Sequence, residues 1–527
     1  MNLRKIWPVL IALLIAAAGT AALLTPRGSD PAADFDGCTS ILVGRLASAD
    51  GSTMTSHSCD SGTDRTWMTM VPHRTYAPGS KAKVYYEPKR SKRPDDPERL
   101  EAGEIPQVGE TFGYLNTAYP IMNDRQLAIG ETTIGGRMDL VSHKGILDAP
   151  ELYRLALERA ATAREAIKLI DALTKAYGYN DWGECFTFAD PKEVWHFEIY
   201  GPGKDQIGAV WAAQRIPDDQ IGVSANAGRI RRIDLKAKDW FMASDNLTAP
   251  AVARGWWNPK SGEAFDFTYA YNPAGRTSLG CRRREWRVLS LLAPSLKLDA
   301  NAENYPFSVK PDKKVTVADI LAIFRDAYDG TAYDMTRSVL AVNRKGETVK
   351  SPVASPFLNN DLLTLLKVVR ERSICSPAAT YLQITQSRGW LPDPIGGVVW
   401  LGYDNPATTP HTPFYCGNAR VPDSYMVDGR WGWSGDCAWW AFRTVSKLAN
   451  FRWQEMRVDI EKVWRPIEDK AFADQAKIEA EAAALWAKDP AAARTFLTDY
   501  SVKTAEAAVA AYRKLERDLW AKYNQQF

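Results

Sequence analysis

The sequence predicts one long unit that mixes strands and helices and is followed by a helical C-terminal tail. In the first half, short apolar and β-branched segments alternate with turn signals, as strands do. Between them, residues 149–177 are rich in Ala and Leu at helical spacing, which predicts one or two helices. From Trp453 to the end the pattern is helical, with Pro466 and Pro490 as predicted interruptions.

An apolar leader opens the chain. A basic start is followed by an almost wholly apolar run at 6–24 and then by a polar stretch that contains prolines. This pattern is typical of an export signal, and because the run is near the ~20 residues of a spanning helix, a membrane anchor is the alternative. We predict a signal or anchor at 1–25, a short pro-segment at 26–37, and an exported periplasmic or extracellular protein that is membrane-attached only through this segment before processing.

The first strand follows the leader directly. Residues 39–46 are apolar and β-branched, 48–52 form a turn signal, and 53–55 resume the strand pattern. Cys38 is thereby placed at the head of a strand, which is a rigid mount for a reactive side chain. Further segments with strand-like composition lie at 126–129, 185–189, 193–200, 207–214 and 220–225. In the second half the pattern predicts a helix at 315–328, a loop at 342–358 and strand-like stretches within 377–401.

Composition and charge indicate a protein with a large buried core and limit the kinds of partner that it can bind. The chain has 527 residues, of which 45% are hydrophobic and 24% charged, so it can bury a large core. Its 66 Lys and Arg against 63 Asp and Glu give a net charge of only +3, which argues against a nucleic-acid partner. Assembly into a homo-oligomer is left open by the sequence.

Cysteine and histidine spacing indicates no cofactor and no metal site. The five histidines are scattered, and neither C-x-x-C nor H-E-x-x-H spacing occurs. Besides Cys38 there are six cysteines, which in an oxidising compartment form up to three disulfides or else are buried free thiols. Both alternatives stay open for Cys59, Cys185, Cys281, Cys375, Cys416 and Cys437.

Cys38 is the leading candidate for chemistry. One cut after Gly37 would make it the mature N-terminus, and the freed α-amino group has a pKa of roughly 7.7 to 8.0. That amine can take the thiol proton directly or through a water, so one residue supplies both nucleophile and base. The alternatives are a lipidated Cys38, because Gly37-Cys38 resembles the end of a lipid-attachment site, and a merely disulfide-bonded one.

Several blocks of sequence, in a shared order, carry a family resemblance. They begin with Cys-Thr-Ser-Ile-Leu-Val-Gly at 38–44 and Ala-Asp-Gly-Ser-Thr-Met at 49–54. The others lie at 128–136, 188–191, 195–198, 223–230, 282–287, 386–392 and 395–400. Together they resemble the cysteine dipeptidases of the dipeptidase A type, the C69 family, which are N-terminal-nucleophile hydrolases. The likeness runs from Cys38 into the C-terminal helices.

The resemblance implies both a fold and a reaction. The implied fold is α+β, a four-layer αββα sandwich of two antiparallel sheets with additional C-terminal helices. The implied domains are a peptidase domain at 38–450 and a helical extension at 451–527 packed on it. The implied reaction is cleavage of dipeptides, in which the mature Cys38 attacks the peptide carbonyl and forms a thioester.

Related N-terminal-cysteine amidases, which include bile-salt and penicillin V hydrolases, imply roles for three further residues. Asp60 would orient the Cys38 amine, and an Asx turn is the alternative. Asn226 would donate to the oxyanion, and a turn-forming Asn is the alternative. Arg284 would favour the thiolate, and a solvated basic helix end is the alternative.

Substrate binding is assigned to His57, Glu131 and Thr132. His57 stands where those amidases have an arginine and is a proton donor, a substrate contact or a surface residue. Glu131 would receive the substrate ammonium, with Thr132 close to the catalytic centre, unless Glu131 pairs with Arg137.

Two rival functions remain. One is an N-terminal-cysteine amidase acting on acylated amino acids or on bile-salt or penicillin-like amides, which the length of this chain argues against. The other is a non-enzymatic envelope lipoprotein.

Overall fold

The computed structural model describes residues 37–62, 66–86 and 100–526. The predicted signal or anchor and all of the pro-segment except Gly37 lie outside the described residues. Among the helices that are described, none combines the length and apolarity needed to cross a bilayer.

Short strands make up most of the regular structure before residue 225 and recur between 379 and 415. In chain order the strands are β1 (Gly37–Val43), β2 (Ser56–Asp60), β3 (Thr69–Val71), β4 (Arg74–Thr75), β5 (Lys81–Tyr86), β6 (Leu100–Pro106), β7 (Glu110–Thr111), β8 (Tyr114–Asn116), β9 (Met122–Asn123), β10 (Ala128–Thr133), β11 (Glu184–Ala189), β12 (Val194–Tyr200), β13 (Val210–Ile216), β14 (Ile221–Ser224), β15 (Phe241–Ala243), β16 (Ser308–Val309), β17 (Leu340–Val342), β18 (Thr348–Lys350), β19 (Ala379–Gln386), β20 (Val398–Tyr403) and β21 (Thr412–Tyr415).

The helices are short in the middle of the chain and long at its end. They are α1 (Ala149–Arg159), α2 (Ala163–Tyr177), α3 (Ala249–Ala253), α4 (Phe267–Tyr271), α5 (Leu279–Leu292), α6 (Val317–Phe324), α7 (Asn360–Leu365), α8 (Asp393–Gly396), α9 (Asp423–Met426), α10 (Ala438–Ala449), α11 (Trp453–Trp486) and α12 (Pro490–Tyr523). Several begin at a side-chain cap: Asp148 accepts the N–H of Glu151 before α1, and Ser278 accepts that of Cys281 before α5.

Two large sheets form the centre of the molecule, and their strands pair antiparallel. One has seven strands in the order β16-β14-β1-β2-β19-β20-β21, and the other has eight in the order β15-β13-β12-β11-β10-β9-β8-β3. Strands β1 and β10 bring the sheets into contact, since Ser40 Oγ donates to the backbone oxygen of Glu131 at 2.9 Å. Every residue of β11 and β12 is buried, because other elements cover both faces of this sheet. The α+β class predicted from the sequence is consistent with this architecture.

The predicted elements agree with the structure in kind and differ at their ends. The 149–177 segment divides into two helices because Ala160 to Thr162 leave the helical path, and Thr162 caps the second helix. The predicted loop at 342–358 instead includes strand β18, which pairs with β17. The seven cysteines are all buried and free, so the disulfide alternative is wrong and the free-thiol alternative is confirmed.

Helix α11 continues through Pro466, so the predicted interruption at that residue is wrong. A proline inside a helix costs about 3 kcal/mol, and the packing of α11 along α12 and against the sheet offsets this. Two buried carboxylates of α11 add ionic contacts. Glu468 forms an ion pair with Arg325 at 2.5 Å and also lies 3.0 Å from His411 Nδ1, and Glu479 forms an ion pair with Arg388 at 2.7 Å.

Candidate active site

Cys38 is the second residue of β1, which lies inside the seven-stranded sheet. Its Cα is paired with Cys59 on β2, and its side chain is buried. The preceding residue, Gly37, has a φ of 145°, and a Cβ there would lie 2.5 Å from Asn226 Oδ1. Only glycine therefore fits immediately before Cys38 without a collision.

The thiol of Cys38 belongs to a buried cluster with Glu131 and His57. Cys38 Sγ donates to Glu131 Oε2 at 3.0 Å, and His57 Nε2 lies 3.4 Å from the same sulfur. His57 Nε2 also lies 3.1 Å from Glu131 Oε2. The surface alternative for His57 is thus wrong. The Glu131–Arg137 pair is wrong as well, since Glu131 pairs with His57 while Arg137 Nε donates to the backbone oxygen of Ala270.

Charge in this cluster is carried by Glu131 and His57. Burial would lower the pKa of His57, but hydrogen bonds to Cys59 and Glu131 raise it to about 9. Burial would raise the pKa of Glu131, but the hydrogen bond and the charge of His57 lower it to about 2. Burial and then the charge of Glu131 raise the pKa of the Cys38 thiol. Near neutral pH the site therefore holds an imidazolium, a carboxylate and a thiol that must give up its proton before it can attack.

The backbone of Cys38 is held by two sequence-predicted residues. Asn226 Oδ1 accepts the Cys38 N–H at 2.9 Å and an Arg284 N–H at 2.8 Å, while Asn226 Nδ2 donates to the oxygen of Thr133 at 2.7 Å. These contacts fix the orientation of the amide. Arg284 also donates to the Cys38 oxygen at 2.7 Å and to Thr39 Oγ1 at 3.0 Å. Arg284 is buried, so the solvated helix-end alternative is wrong. Arg284 thus contacts the backbone of Cys38 and the side chains of Thr39 and Asn226 that surround it.

Asp60 lies at the end of β2, opposite Gly37 in the strand pairing. Its Oδ2 forms an ion pair with Arg372, and its buried Oδ1 has no hydrogen-bond partner among the described residues. The Asx-turn alternative is wrong, because the N–H of Gly62 donates to Ala378 instead. Burial raises the pKa of Asp60 to about 6 despite the charges of Arg372 and Arg284, which lower it. A buried carboxylate oxygen beside the Cys38 backbone is thus ready to accept a new donor.

Thr132 faces a different neighbour from Glu131. Its hydroxyl lies 2.5 Å from Ser224 Oγ on β14, so it links the two sheets.

Two residues at the site were not predicted from the sequence. Arg372 is 312 positions from Asp60 and has no local signal, and Glu184 precedes the segment predicted as a strand. Glu184 hydrogen-bonds to Glu131, and burial followed by the charge of Glu131 raises its pKa well above the ordinary value, which keeps it protonated.

One group of donor atoms is close enough to hold a metal ion, considering only the residues that the structure describes. It consists of one atom each from Cys38, His57 and Glu131, all within 4.8 Å of one another. Residue spacing in the sequence gave no sign of this group, because strand pairing and sheet stacking bring it together.

The sequence of this chain is similar to a known family of peptidases. The model of peptidase family C69 matches residues 37–466, beginning one residue before the candidate nucleophile. The chain belongs to peptidase family C69. This C69 chain is 25% identical over 401 residues to a probable dipeptidase of Latilactobacillus sakei, covering 74% of this chain and 76% of the relative. It is 26% identical over 425 residues to a probable dipeptidase of Salmonella dublin, covering 78% and 90%. Dipeptidase A of Lactobacillus helveticus is 22% identical over 404 residues, covering 74% and 77%.

Proposed function

We propose that this C69 chain is a dipeptidase whose nucleophile is Cys38 at a mature N-terminus created by cleavage after Gly37. The observation that carries the proposal is the arrangement around Cys38, whose sulfur contacts Glu131 and His57 while its backbone nitrogen contacts Asn226. Family membership and the dipeptidase names of the relatives support the substrate class. The proposal includes export of the chain and an αββα arrangement of the kind found in N-terminal-nucleophile hydrolases.

The freed α-amine of Cys38 is the proposed base. Asn226 Oδ1 already accepts the N–H of this nitrogen, and Asp60 Oδ1 is a buried acceptor without a partner at the neighbouring position. Both oxygens would orient the amine, and the Asp60 carboxylate would stabilise its protonated form. The amine takes the thiol proton of Cys38 directly or through a water.

The thiolate then adds to the peptide carbonyl carbon of the dipeptide. The His57 imidazolium and the second N–H of Asn226 Nδ2 are the proposed donors to the oxyanion. The C–N bond breaks, the leaving amine takes the proton held by the Cys38 ammonium, and a thioester remains on Cys38. Water then hydrolyses the thioester and releases the acid product and the free thiol.

Substrate selection follows from charge. A dipeptide carries an ammonium group close to the bond to be cleaved, and the Glu131 carboxylate offers negative charge for that group, while the protonated Glu184 beside it stays neutral. Thr132 supports the site by fixing β10 against β14 through Ser224. Arg284 contributes by holding the Cys38 backbone and by its positive charge.

Intact mass and N-terminal sequencing of protein from its native compartment test the proposal first. We expect a chain that begins at Cys38 with an unmodified amine and that hydrolyses free dipeptides faster than acylated amino acids. Cys38→Ala should abolish the activity, and Cys281→Ser, which alters another buried thiol, should keep it. A mature chain that retains residues before Cys38, or carries lipid on it, would refute the mechanism. A preference for acylated amino acids would favour the amidase instead.

A further inference from the structure

The thiol, imidazole and carboxylate of the Cys38 cluster form a compact triangle of donor atoms. Its sides are 3.4 Å from Cys38 Sγ to His57 Nε2, 3.0 Å from Cys38 Sγ to Glu131 Oε2, and 3.1 Å from His57 Nε2 to Glu131 Oε2. The three side chains come from three strands, β1, β2 and β10, so the sheets hold them in place.

The Cys38–His57 side of this triangle fits one face of a zinc tetrahedron, while the two sides that meet at Glu131 Oε2 are shorter and would have to lengthen by a few tenths of an ångström. Zn–S bonds of ~2.3 Å and Zn–N or Zn–O bonds of ~2.0–2.1 Å place tetrahedral donors roughly 3.3 to 3.6 Å apart. Thiolate, imidazole and carboxylate are also the three ligand types that Zn²⁺ takes in proteins. We propose that Cys38, His57 and Glu131 bind one Zn²⁺ ion, and that the bound ion inhibits the enzyme by occupying the sulfur that must attack the substrate.

A second cluster of the same residue types shows why the first one is suited to a metal. Cys185 Sγ lies 3.4 Å from His196 Nε2, which lies 2.9 Å from Glu198 Oε1. However, this Glu198 oxygen also accepts the backbone N–H groups of Arg229 at 2.5 Å and Ile230 at 2.9 Å. The backbone therefore holds this oxygen, and the free Glu198 oxygen is Oε2, which has no partner among the described residues. Within the part of the chain that the structure describes, only the Cys38 cluster brings one donor atom from each of three such side chains within 4.8 Å.

The fourth coordination position has a candidate donor in the mature chain. A free α-amine of Cys38 and its own sulfur would chelate the ion in a five-membered ring, and water would complete the shell in the precursor. Gly37, Thr133 and Asn226 are only half-buried, so a hydrated ion can approach this edge. Binding would displace the protons of the Cys38 thiol and the His57 imidazolium into solvent.

Calorimetric titration of ZnCl₂ into the purified mature chain tests the inference. We expect one ion per chain, and we expect His57→Gln and Cys38→Ser each to weaken binding by more than about 100-fold. Cys281→Ser is the matched control, since it removes a neighbouring buried thiol outside the triangle and should bind zinc as the parent does. Co²⁺ in place of Zn²⁺ should give a thiolate-to-cobalt charge-transfer band that Cys38→Ser lacks, with circular dichroism to confirm that each variant is folded.

The inference has two parts, zinc binding and inhibition by the bound zinc. Inhibition rests on the proposed peptidase activity, whereas zinc binding is independent of that activity. Zinc should stop dipeptide hydrolysis at the concentration that saturates the calorimetric site, and a chelator should restore it. Absence of one-to-one binding, or binding that folded His57→Gln retains, would overturn the zinc inference and leave the peptidase untouched. Tight binding to a chain without peptidase activity would support the metal site while refuting the proposed function.

Discussion

Arg372 forms an ion pair with Asp60 from a position 312 residues further along the chain. This pair lies beside the proposed cleavage point, because Gly37 is opposite Asp60 in the β1–β2 pairing and a Cβ on Gly37 would lie 3.6 Å from Arg372 Nη2. The carboxylate proposed to orient the amine thus depends on a distant segment for its own charge.

Removing Arg372 should leave the buried Asp60 carboxylate without its direct partner. We expect Arg372→Gln to lower the free energy of unfolding by about 3 kcal/mol, the cost of an uncompensated buried charge. Urea unfolding at pH 7 measures this. Arg283→Gln is the matched control, because Arg283 pairs with the neighbouring Glu371 in a more accessible position and should cost about 1 kcal/mol. Equal losses in the two variants would contradict the special role of Arg372.

Asn226 holds the Cys38 nitrogen from a left-handed backbone with a φ of 61°. Asn226→Gly keeps that conformation accessible while removing both the acceptor and the donors of the amide. We expect kcat for dipeptides to fall by about 10²-fold, as loss of one oxyanion donor does. Asp205→Gly is the control for the backbone effect, since Asp205 has a φ of 62° in an exposed turn. An unchanged kcat in Asn226→Gly would remove this residue from the reaction.

His57 should favour the thiolate of Cys38, because its raised pKa of about 9 keeps an imidazolium beside the sulfur. We expect His57→Gln to move the alkylation of Cys38 by iodoacetamide to higher pH and to lower kcat/KM by about 10²-fold. The alkylation rate of Cys38, followed by mass spectrometry across a pH series, gives the shift. His73→Gln, which changes an exposed histidine paired with Glu110, should leave the profile in place. A profile that His57→Gln does not move would show that the imidazole has no influence on the thiol.

Stability should depend on acid through Glu285, which is buried between Arg229 at 2.6 Å and Arg276 at 2.5 Å. Burial would raise the pKa of Glu285, but the charges of Arg229 and Arg276 lower it below 4.5. Because the folded pKa lies below the unfolded one, this stabilisation is present above about pH 4.5 and is lost as pH falls through the folded pKa.

Glu285→Gln should therefore lower the unfolding free energy at pH 7 by about 3 kcal/mol and flatten its decline on acidification. Urea titrations between neutral pH and pH 3 measure both effects. Glu455→Gln, at a half-buried pair with Arg452 that is far more accessible than Glu285, should stay close to the parent curve. A Glu285→Gln curve parallel to that of the parent would show that this carboxylate does not control the acid limb.

The strands around Cys38 were predicted correctly from the sequence, because strands buried in a sheet are short runs of apolar and β-branched residues. The helices of 149–177 were predicted for a similar reason, since apolar residues at helical spacing mark a buried face. The prediction failed at Pro466, where tertiary packing of two long helices outweighs a local penalty that the sequence displays.

The sequence predicted individual residues of the site but not the contacts between them. Cys38 was identifiable from its position after the leader, and Asp60, Asn226 and Arg284 were reached by resemblance. The pairing of His57 with Glu131, the ion pair of Asp60 with Arg372 and the contact of Glu184 with Glu131 join distant segments through sheet stacking. Single-sequence spacing carries no information about such pairs.

The carboxylates of helix α11 have a consequence for the order of folding. Arg325 and Arg388 are incorporated into the chain well before Glu468 and Glu479, the acids that neutralise them in the interior. During synthesis the sheet strands are therefore complete while these two cations still lack their partners. The molecule can close its interior only after the last part of the chain has left the ribosome, which favours a late, concerted final step and makes loss of the C-terminal helices more damaging than their distance from Cys38 suggests.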